Sequence, residues 1–202
     1  MYSHLTNYPF VRAFATQPLS AGVEFTAEEV DRMNALFSKA ELRKSDLDEG
    51  RMDESVRVSN VKFYYPEEDT YWIFEKLNYI IELNNSQFWN FDLNGYESFQ
   101  YSEYDASEGG KYDFHADIDY SNREGATDLQ TRKLSLSVIL NEQGVDYEGG
   151  DFQIMVGPKA ITCDQAKGTV LLFPSWVLHR VAPVTRGVRK SIVVWVTGPK
   201  FR

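Results

Sequence analysis

The sequence predicts a mainly β protein with supporting N-terminal helices (α+β), of the sandwich or jelly-roll type. Two helical patterns occupy the first half of the 202-residue chain, and many short apolar segments separated by glycine and proline follow. A chain of this length is expected to form one domain, 1–202. Within it, we expect residues 1–95 to supply helical support and the first strands, and residues 96–202 to form the jelly-roll core with the candidate site.

The first helix is predicted to begin at Thr26. Thr26 and Glu29 fit the S/T-x-x-E capping box, and Phe25 and Val30 fit the hydrophobic staple. Apolar residues then recur at helical spacing as far as Phe37. We expect this helix to cover one face of a sheet.

The next segments alternate between connections, strands and a second helix. Residues 41–57 are rich in charge without periodicity and predict a surface connection, while 56–65 has strand composition. A second helix is predicted over 69–85, whose isoleucines and leucines share one face. From Phe88 the pattern alternates like a strand, with a turn at Asn94-Gly95. Later strands are predicted over 134–140, 152–156, 169–173 and 188–196.

Composition excludes several classes of function. The formal charge is −9, which disfavours nucleic-acid partners because those require clustered lysine and arginine. The single cysteine, Cys163, cannot form an internal disulfide and suits a reducing compartment. Neither a basic leader nor an apolar run of about 20 residues is present, so we expect a cytoplasmic protein without a membrane partner. The oligomeric state stays open.

Two of the three histidines have contexts typical of metal ligands. His115 and Asp117 follow a strand-like stretch, and residues two apart in a strand share a face. His179 follows another apolar strand, and distant strands of a sandwich can be neighbours. Two imidazoles and one carboxylate form the facial triad of non-haem Fe(II) oxygenases. They also suit zinc in a non-catalytic, cupin-like binding protein.

A candidate partner for an anion lies ten residues after His179. Arg189 shares one strand face with Ser191, Val193 and Trp195. A guanidinium at the start of an apolar face needs a buried partner, because burying an unpaired charge is costly. A dicarboxylate co-substrate would be such a partner. A protein that only stores a metal does not need this arginine. Arg186 is the competing candidate, but Gly187 predicts a solvent-exposed turn there.

At these residues the chain resembles the Fe(II)/2-oxoglutarate-dependent oxygenases, specifically the prolyl 4-hydroxylase-like branch with the bacterial PKHD-type hydroxylases. The resemblance lies in 104–119, 133–141, 147–154 and 167–196, about the last hundred residues. It implies a double-stranded β-helix that binds Fe(II) through His115, Asp117 and His179. It also implies that Arg189 pairs with the distal carboxylate of 2-oxoglutarate. Ascorbate is a candidate reductant for the iron.

The resemblance extends to the walls of the site. Tyr104 falls where the family often has a tyrosine that reaches the same carboxylate, and Ser191 matches a second hydroxyl contact. Ser137 lies on a strand expected to line the co-substrate pocket, next to Ile139, where the family often has a tyrosine. The proposed substrate walls are the aromatic residues Tyr112, Phe152 and Trp176, whose alternative role is ordinary core packing.

The resemblance implies a dioxygenase that hydroxylates an unactivated carbon and releases succinate and CO2. A prolyl residue in a peptide or protein is the leading substrate, and dioxygen is the second co-substrate. A free amino acid or another small metabolite is the alternative. The polar segment 118–131 follows two predicted ligands and is interpreted either as a lid over the substrate or as a surface loop.

Overall fold

The computed structural model describes residues 17–45, 53–118 and 130–201. Within these ranges the helices are α1, Ala27–Phe37, and α2, Tyr71–Asn84, followed by a π-helical turn, Asn85–Trp89. A 3₁₀ turn, Ala106–Glu108, connects two strands. The strands are β1 Ser20–Val23, β2 Arg43–Lys44, β3 Arg57–Val58, β4 Asn60–Tyr64, β5 Phe99–Asp105, β6 Lys111–His115, β7 Gln130–Ile139, β8 Tyr147–Gly149, β9 Phe152–Val156, β10 Lys159–Thr162, β11 Thr169–Pro174, β12 His179–Val181 and β13 Val184–Pro199.

The strands form two sheets. The larger has the order β1-β11-β7-β13-β5-β4-β2, with β8 paired to the start of β13, and the smaller has the order β10-β9-β12-β6-β3. Neighbours in both sheets run antiparallel. Buried residues of both sheets form one shared cluster, including Phe173 and Ile139 of the larger sheet and Phe152 and Val181 of the smaller. The predicted mainly β sandwich with supporting helices is thus confirmed.

Both helices cover the outer face of the larger sheet. Val30 and Met33 of α1 and Leu77 of α2 are fully buried against the sheet residues Leu136 and Val194. The predicted capping box closes the start of α1, since the Thr26 hydroxyl accepts from the Glu29 amide and the Glu29 carboxylate accepts from the Thr26 amide. None of the helices in the described ranges is long and apolar enough to cross a membrane.

The structure corrects three expectations about local structure. The strand-like alternation after Phe88 does not form a strand: the chain makes the π-helical turn, and Asn90 then adopts φ of 51°. The connection 41–57 contains β2 and ends in β3, so its last residue, Arg57, belongs to the smaller sheet. Arg186 lies inside β13, although its side chain is half exposed as expected. The lid predicted over 118–131 lies mostly outside the described residues.

Candidate metal and co-substrate site

The three predicted metal ligands meet at the end of the smaller sheet. His115 on β6 and His179 on β12 are direct cross-strand partners. Asp117 lies beyond the end of β6, where its amide donates to the Ser175 carbonyl. Its two oxygens lie 3.6 Å from His115 Nε2 and 3.5 Å from His179 Nε2. A turn held by Ser175, rather than the strand alternation that the sequence suggested, therefore brings Asp117 to the histidines.

Backbone contacts decide which nitrogen of each histidine faces this point. His115 Nδ1 lies 2.8 Å from the Asp113 carbonyl, and His179 Nδ1 lies 2.9 Å from the Val177 carbonyl. Because a carbonyl only accepts, Nδ1 carries the proton and each Nε2 presents a lone pair. Three lone-pair donors, within 4.8 Å of one another, then point at one place. Such an arrangement is repulsive without a cation, and it fits a divalent metal.

Burial and neighbouring charges hold His179 and Asp117 in the protonation states that a metal requires. Burial lowers the pKa of His179 to about 4, so its imidazole is neutral at neutral pH. Burial would raise the pKa of Asp117, but the two imidazoles and the Ser135 hydroxyl outweigh it, and the pKa lies well below the usual value. A neutral imidazole and an ionised carboxylate are the forms that bind metals.

Aromatic rings fix the two imidazoles in place. The Tyr112 ring stacks on His115 at a centroid distance of 3.5 Å, with 14° between the planes. His179 packs against Phe152 at 5.6 Å and against Phe173 at 4.7 Å. Burial raises the pKa of Tyr112 to about 12, so it remains a neutral phenol. These contacts restrict ring rotation and keep the ligand atoms aligned.

Arg189 is the largest fully buried side chain of the described structure. Its Nε and Nη2 both donate to Gln165 Oε1 at 3.3 Å, and Nη1 donates to Ser191 Oγ at 3.2 Å. Within residues 17–45, 53–118 and 130–201, no carboxylate lies within ion-pair distance of it. A fully buried guanidinium with only neutral partners is suited to bind an anion.

A cleft of about 420 Å³, including its mouth, joins Arg189 to the three metal ligands. Tyr104, whose ring centre lies 5.7 Å from the Arg189 guanidinium, lines it with Ser137 and Ser191. The full lining is Arg57, Gln100, Tyr104, Tyr112, His115, Asp117, Leu136, Ser137, Phe152, Phe173, His179, Val181, Arg189, Ser191, Val193 and Trp195.

Of the three aromatic residues predicted as substrate walls, the structure brings two to the cleft. Tyr112 and Phe152 line it. Trp176 lies outside it, in an edge-to-face cluster with Phe91 at 5.5 Å and Phe201 at 5.3 Å. Its side chain is 38% exposed. Trp176 therefore contributes to an outer aromatic cluster of the described structure rather than to the lining.

A pair of glycines allows the backbone to pass close to Arg189. Gly149 and Gly150 have φ of 69° and 64°, values that only glycine adopts readily. A Cβ on Gly149 would lie 2.5 Å from the Pro183 carbonyl oxygen, and one on Gly150 would lie 3.0 Å from Arg189 Cδ. The absence of a Cβ at this pair thus lets the glycine turn pack against the anion-binding arginine.

Sequence reasoning missed two residues of the site. Gln165, which holds two nitrogens of Arg189, lies in an irregular segment and gives no pattern. Arg57 lines the cleft and places its guanidinium 4.7 Å from the centre of the Tyr112 ring. It stands at the end of a charge-rich stretch interpreted as surface. Its neighbours Val56 and Val58, which give it a strand context, were the available signal.

Comparisons with known proteins show which family the part of the chain that carries this site is similar to. Residues 99–197 match the model of the 2OG-Fe(II) oxygenase superfamily. A PKHD-type hydroxylase of Alteromonas mediterranea is 34% identical over 92 residues, which are 45% of this chain and 39% of that protein. One from Synechococcus sp. strain CC9311 is 37% identical over 89 residues, 44% of this chain and 37% of that protein. The chain thus covers about two fifths of the length of these curated relatives.

Solved structures show the same fold over most of the chain. A prolyl hydroxylase from Trichoplax adhaerens, in complex with a hypoxia-inducible-factor peptide fragment, aligns with a TM-score of 0.72 at 20% identity. The match covers 90% of this chain and 84% of that one. A Pseudomonas putida prolyl-4-hydroxylase gives 0.70 at 20% identity, over 92% and 95%.

The fold is therefore the double-stranded β-helix of these proteins. Residues 99–197, which carry the site, match the 2OG-Fe(II) oxygenase superfamily, and the curated relatives described above are PKHD-type hydroxylases. This family implies Fe(II) and 2-oxoglutarate, and the three converging ligand atoms fit the metal.

Proposed function

We propose that this protein is a dioxygenase that uses Fe(II) and 2-oxoglutarate to hydroxylate an unactivated carbon of a prolyl residue in a peptide or protein. The observation that carries the proposal is the pairing, in one cleft, of three converging metal ligands with a buried arginine that lacks a carboxylate partner in the described structure. A protein that only stores a metal has no use for that arginine.

Each residue of the cleft then has a defined task. His115, Asp117 and His179 would hold the metal through their three converging ligand atoms. Arg189 binds the distal carboxylate of 2-oxoglutarate, while Ser191 and Gln165 orient its guanidinium. When bound, Fe(II) and 2-oxoglutarate reduce dioxygen and supply the oxidant for a C–H bond, with succinate and CO2 as co-products.

The apolar walls exclude water from the reacting centre. Phe152 and Phe173 pack on His179, Tyr112 packs on His115, and Val181 closes the same side of the cleft. A dry, rigid surrounding limits unproductive consumption of the oxidant. Arg189, Ser191 and Gln165 contribute binding and geometry, and the residues of the triad remain unchanged by turnover.

The prolyl substrate is supported by the relatives and by the shape of the site. The curated relatives are PKHD-type hydroxylases, and the Trichoplax protein is a prolyl hydroxylase solved with a peptide. Tyr112 and Phe152 give the cleft an aromatic lining beside the metal ligands, which suits an apolar pyrrolidine ring. A free amino acid remains the competing substrate.

The test is substrate-stimulated succinate formation by the Fe(II)-loaded chain with 2-oxoglutarate. Proline-containing peptides and free proline are compared, after subtraction of succinate formed without substrate, and products are examined by mass spectrometry for one added oxygen atom. We expect stimulation and oxygen incorporation with peptides. Incorporation only with the free amino acid would reject the peptide substrate. Absence of 2-oxoglutarate binding would reject the oxygenase function itself.

A matched pair of variants accompanies this assay: Asp117→Asn is the test, and Asp113→Asn is its control. Both replace an aspartate near His115, but only Asp117 offers its carboxylate to the metal position. Asp113 is partly exposed and pairs with Lys111. We expect turnover to disappear in the first variant and to persist in the second.

A further inference from the structure

The lining of the cleft contains a buried hydrogen-bond donor that has no acceptor among the described residues. Trp195 lies six residues after Arg189 on β13, a distance of about 20 Å along an extended strand. It lines the cleft, and its Nε1 is buried without a partner in the described structure. Because a buried unsatisfied donor costs about 1–3 kcal/mol, an acceptor is expected to be supplied from outside the described residues.

A β-bulge places an arginine on the same ring. In the pairing of β7 with β13, Leu134 stands opposite Val196 and Arg132 opposite Thr197, so Lys133 is an extra residue. Without the bulge, Arg132 would share the helix-covered face with Leu134. With it, the Arg132 guanidinium lies 4.5 Å from the centre of the Trp195 ring. Bulges next to active sites often re-aim a side chain in this way.

Arg132 is also tied to a metal ligand. Its Nη1 donates to the backbone carbonyl of Asp117 at 3.2 Å, and its remaining N–H groups have no acceptor among the residues that the structure describes. No described carboxylate lies within ion-pair distance of it. A half-buried guanidinium therefore stands beside the metal position, with donors to spare.

We propose that Arg132 and the Trp195 indole N–H form a carboxylate-binding subsite beside Asp117, separate from the one at Arg189. The inference rests on the proposed oxygenase function, because the subsite would hold a carboxylate next to the metal. A guanidinium and an indole N–H both donate, and a planar carboxylate can accept from several donors at once. The cation–π contact with Trp195 positions the guanidinium before the ligand arrives.

Two molecules can supply this carboxylate. One is 2-oxoglutarate itself, through the carboxylate next to its keto group. The other is the substrate, which would then carry a carboxylate within a few bonds of the oxidised carbon, as in an acidic peptide or a free amino acid. The surroundings favour anions in both cases, since Arg57, Arg132 and Arg189 lie in or beside the cleft and Asp117 is the one carboxylate in its described lining.

The test follows the Trp195 indole signal by ¹⁵N–¹H NMR. The chain has four tryptophans, so it gives four indole signals, and loss of one in Trp195→Phe assigns the signal. The full chain is loaded with Zn(II) as a diamagnetic stand-in and titrated with 2-oxoglutarate, then with acetate, with sodium chloride of equal ionic strength as the salt control. We expect a saturable downfield shift of the Trp195 signal.

The titration step at which the shift occurs identifies the source. A shift on 2-oxoglutarate assigns the subsite to the co-substrate, and a shift on acetate after 2-oxoglutarate is bound assigns it to the substrate. A Trp195 signal that moves in neither titration would overturn the subsite. Failure of the oxygenase proposal is separately visible: calorimetry would then show that 2-oxoglutarate does not bind the metal-loaded chain at all.

Arg132→Gln supplies the second readout. We expect this variant to bind the carboxylate that causes the shift at least tenfold more weakly than wild type does. Arg32→Gln is the matched control, because Arg32 stacks on Trp72 at 4.4 Å far from the cleft and its loss should leave the titration unchanged. Equal affinity in wild type and Arg132→Gln would contradict the proposal even if the Trp195 signal moved. The other three indole signals report whether each variant remains folded.

Discussion

The two faces of the larger sheet differ in what the same strands carry. On one face, β7 and β13 present aliphatic residues to the helices. On the other, they present hydroxyls, an indole and a guanidinium to the cleft. The first set is Leu134, Leu136, Val138, Ile192, Val194 and Val196, and the second is Ser137, Arg189, Ser191 and Trp195.

This difference shows how a rigid site is built without separate functional elements. Because side chains alternate along a strand, each functional residue has neighbours that are fixed in the core. Arg189 and Ser191 are therefore positioned by the packing of Ile192 and Val194 on the helices. A one-residue change of register would exchange the two faces, so the core also enforces the register of the site.

The largest effect is expected from removing a metal ligand. His179→Ala should reduce metal affinity by more than about 100-fold, since loss of a mere outer-shell partner already costs about 10–100-fold. Turnover should disappear. Metal content after dialysis and succinate formation measure the two effects. Wild-type metal retention in His115→Ala, Asp117→Ala and His179→Ala alike would refute the ligand assignment.

Removing the Arg189 guanidinium from the cleft should strongly weaken co-substrate binding while leaving the helix-covered core intact. Arg189→Met is expected to weaken the binding of 2-oxoglutarate by about 3–5 kcal/mol, because the distal carboxylate is left buried and unpaired. Calorimetry with the Mn(II)-loaded chain measures this loss. Arg186→Met is the control, because Arg186 forms an exposed pair with Glu148. The reverse ranking of the two variants would contradict the assignment.

Adjacent residues on β13 allow the two faces to be tested separately. Ile192→Ala should lower the free energy of unfolding by about 2–5 kcal/mol, as expected for a fully buried isoleucine, and leave the 2-oxoglutarate affinity of the folded protein unchanged. Ser191→Ala should change the free energy of unfolding little. It should weaken the binding of 2-oxoglutarate several-fold, since it removes the acceptor of Arg189 Nη1. Denaturant titration and calorimetry measure both. Similar effects of the two variants would argue against separate roles for the faces.

A smaller effect is expected at the glycine turn behind Arg189. Gly150→Ala should lower the free energy of unfolding by about 1–2 kcal/mol because the residue has a positive φ. The added Cβ would also press on Arg189 and so weaken the binding of 2-oxoglutarate. Gly144→Ala carries the same backbone strain, at φ of 85°, but meets no atom within 4 Å. Only the first variant should change the affinity, and equal affinities would show that Gly150 does not position Arg189.

Much of the fold could be predicted from the sequence because local patterns agree with tertiary packing. The capping box defined the start of α1, and periodicity defined α2 to within two residues at its start. The strand of Arg189 was predicted from alternation alone. The π-helical turn at Asn85–Trp89 was not, because the apolar residues after it alternate like a strand yet pack irregularly.

The parts of the site that escaped prediction depend on contacts distant in sequence. Asp117 reaches the histidines through a turn bonded to Ser175, and Gln165 meets Arg189 across 24 residues. Arg132 reaches the Trp195 ring only because of a bulge, and no sequence pattern marks one. The cytoplasmic location stays a prediction.

Binding of 2-oxoglutarate to the anaerobic, Fe(II)-loaded chain tests the central claim most directly. The claim is that the cleft face holds the metal and the co-substrate together, within reach of the same three ligands and Arg189. The visible charge-transfer absorbance is followed while 2-oxoglutarate is added. The account predicts a band that requires both components and saturates at one 2-oxoglutarate per chain. A chain that retains Fe(II) tightly but develops no band, and binds no 2-oxoglutarate by calorimetry, would contradict it.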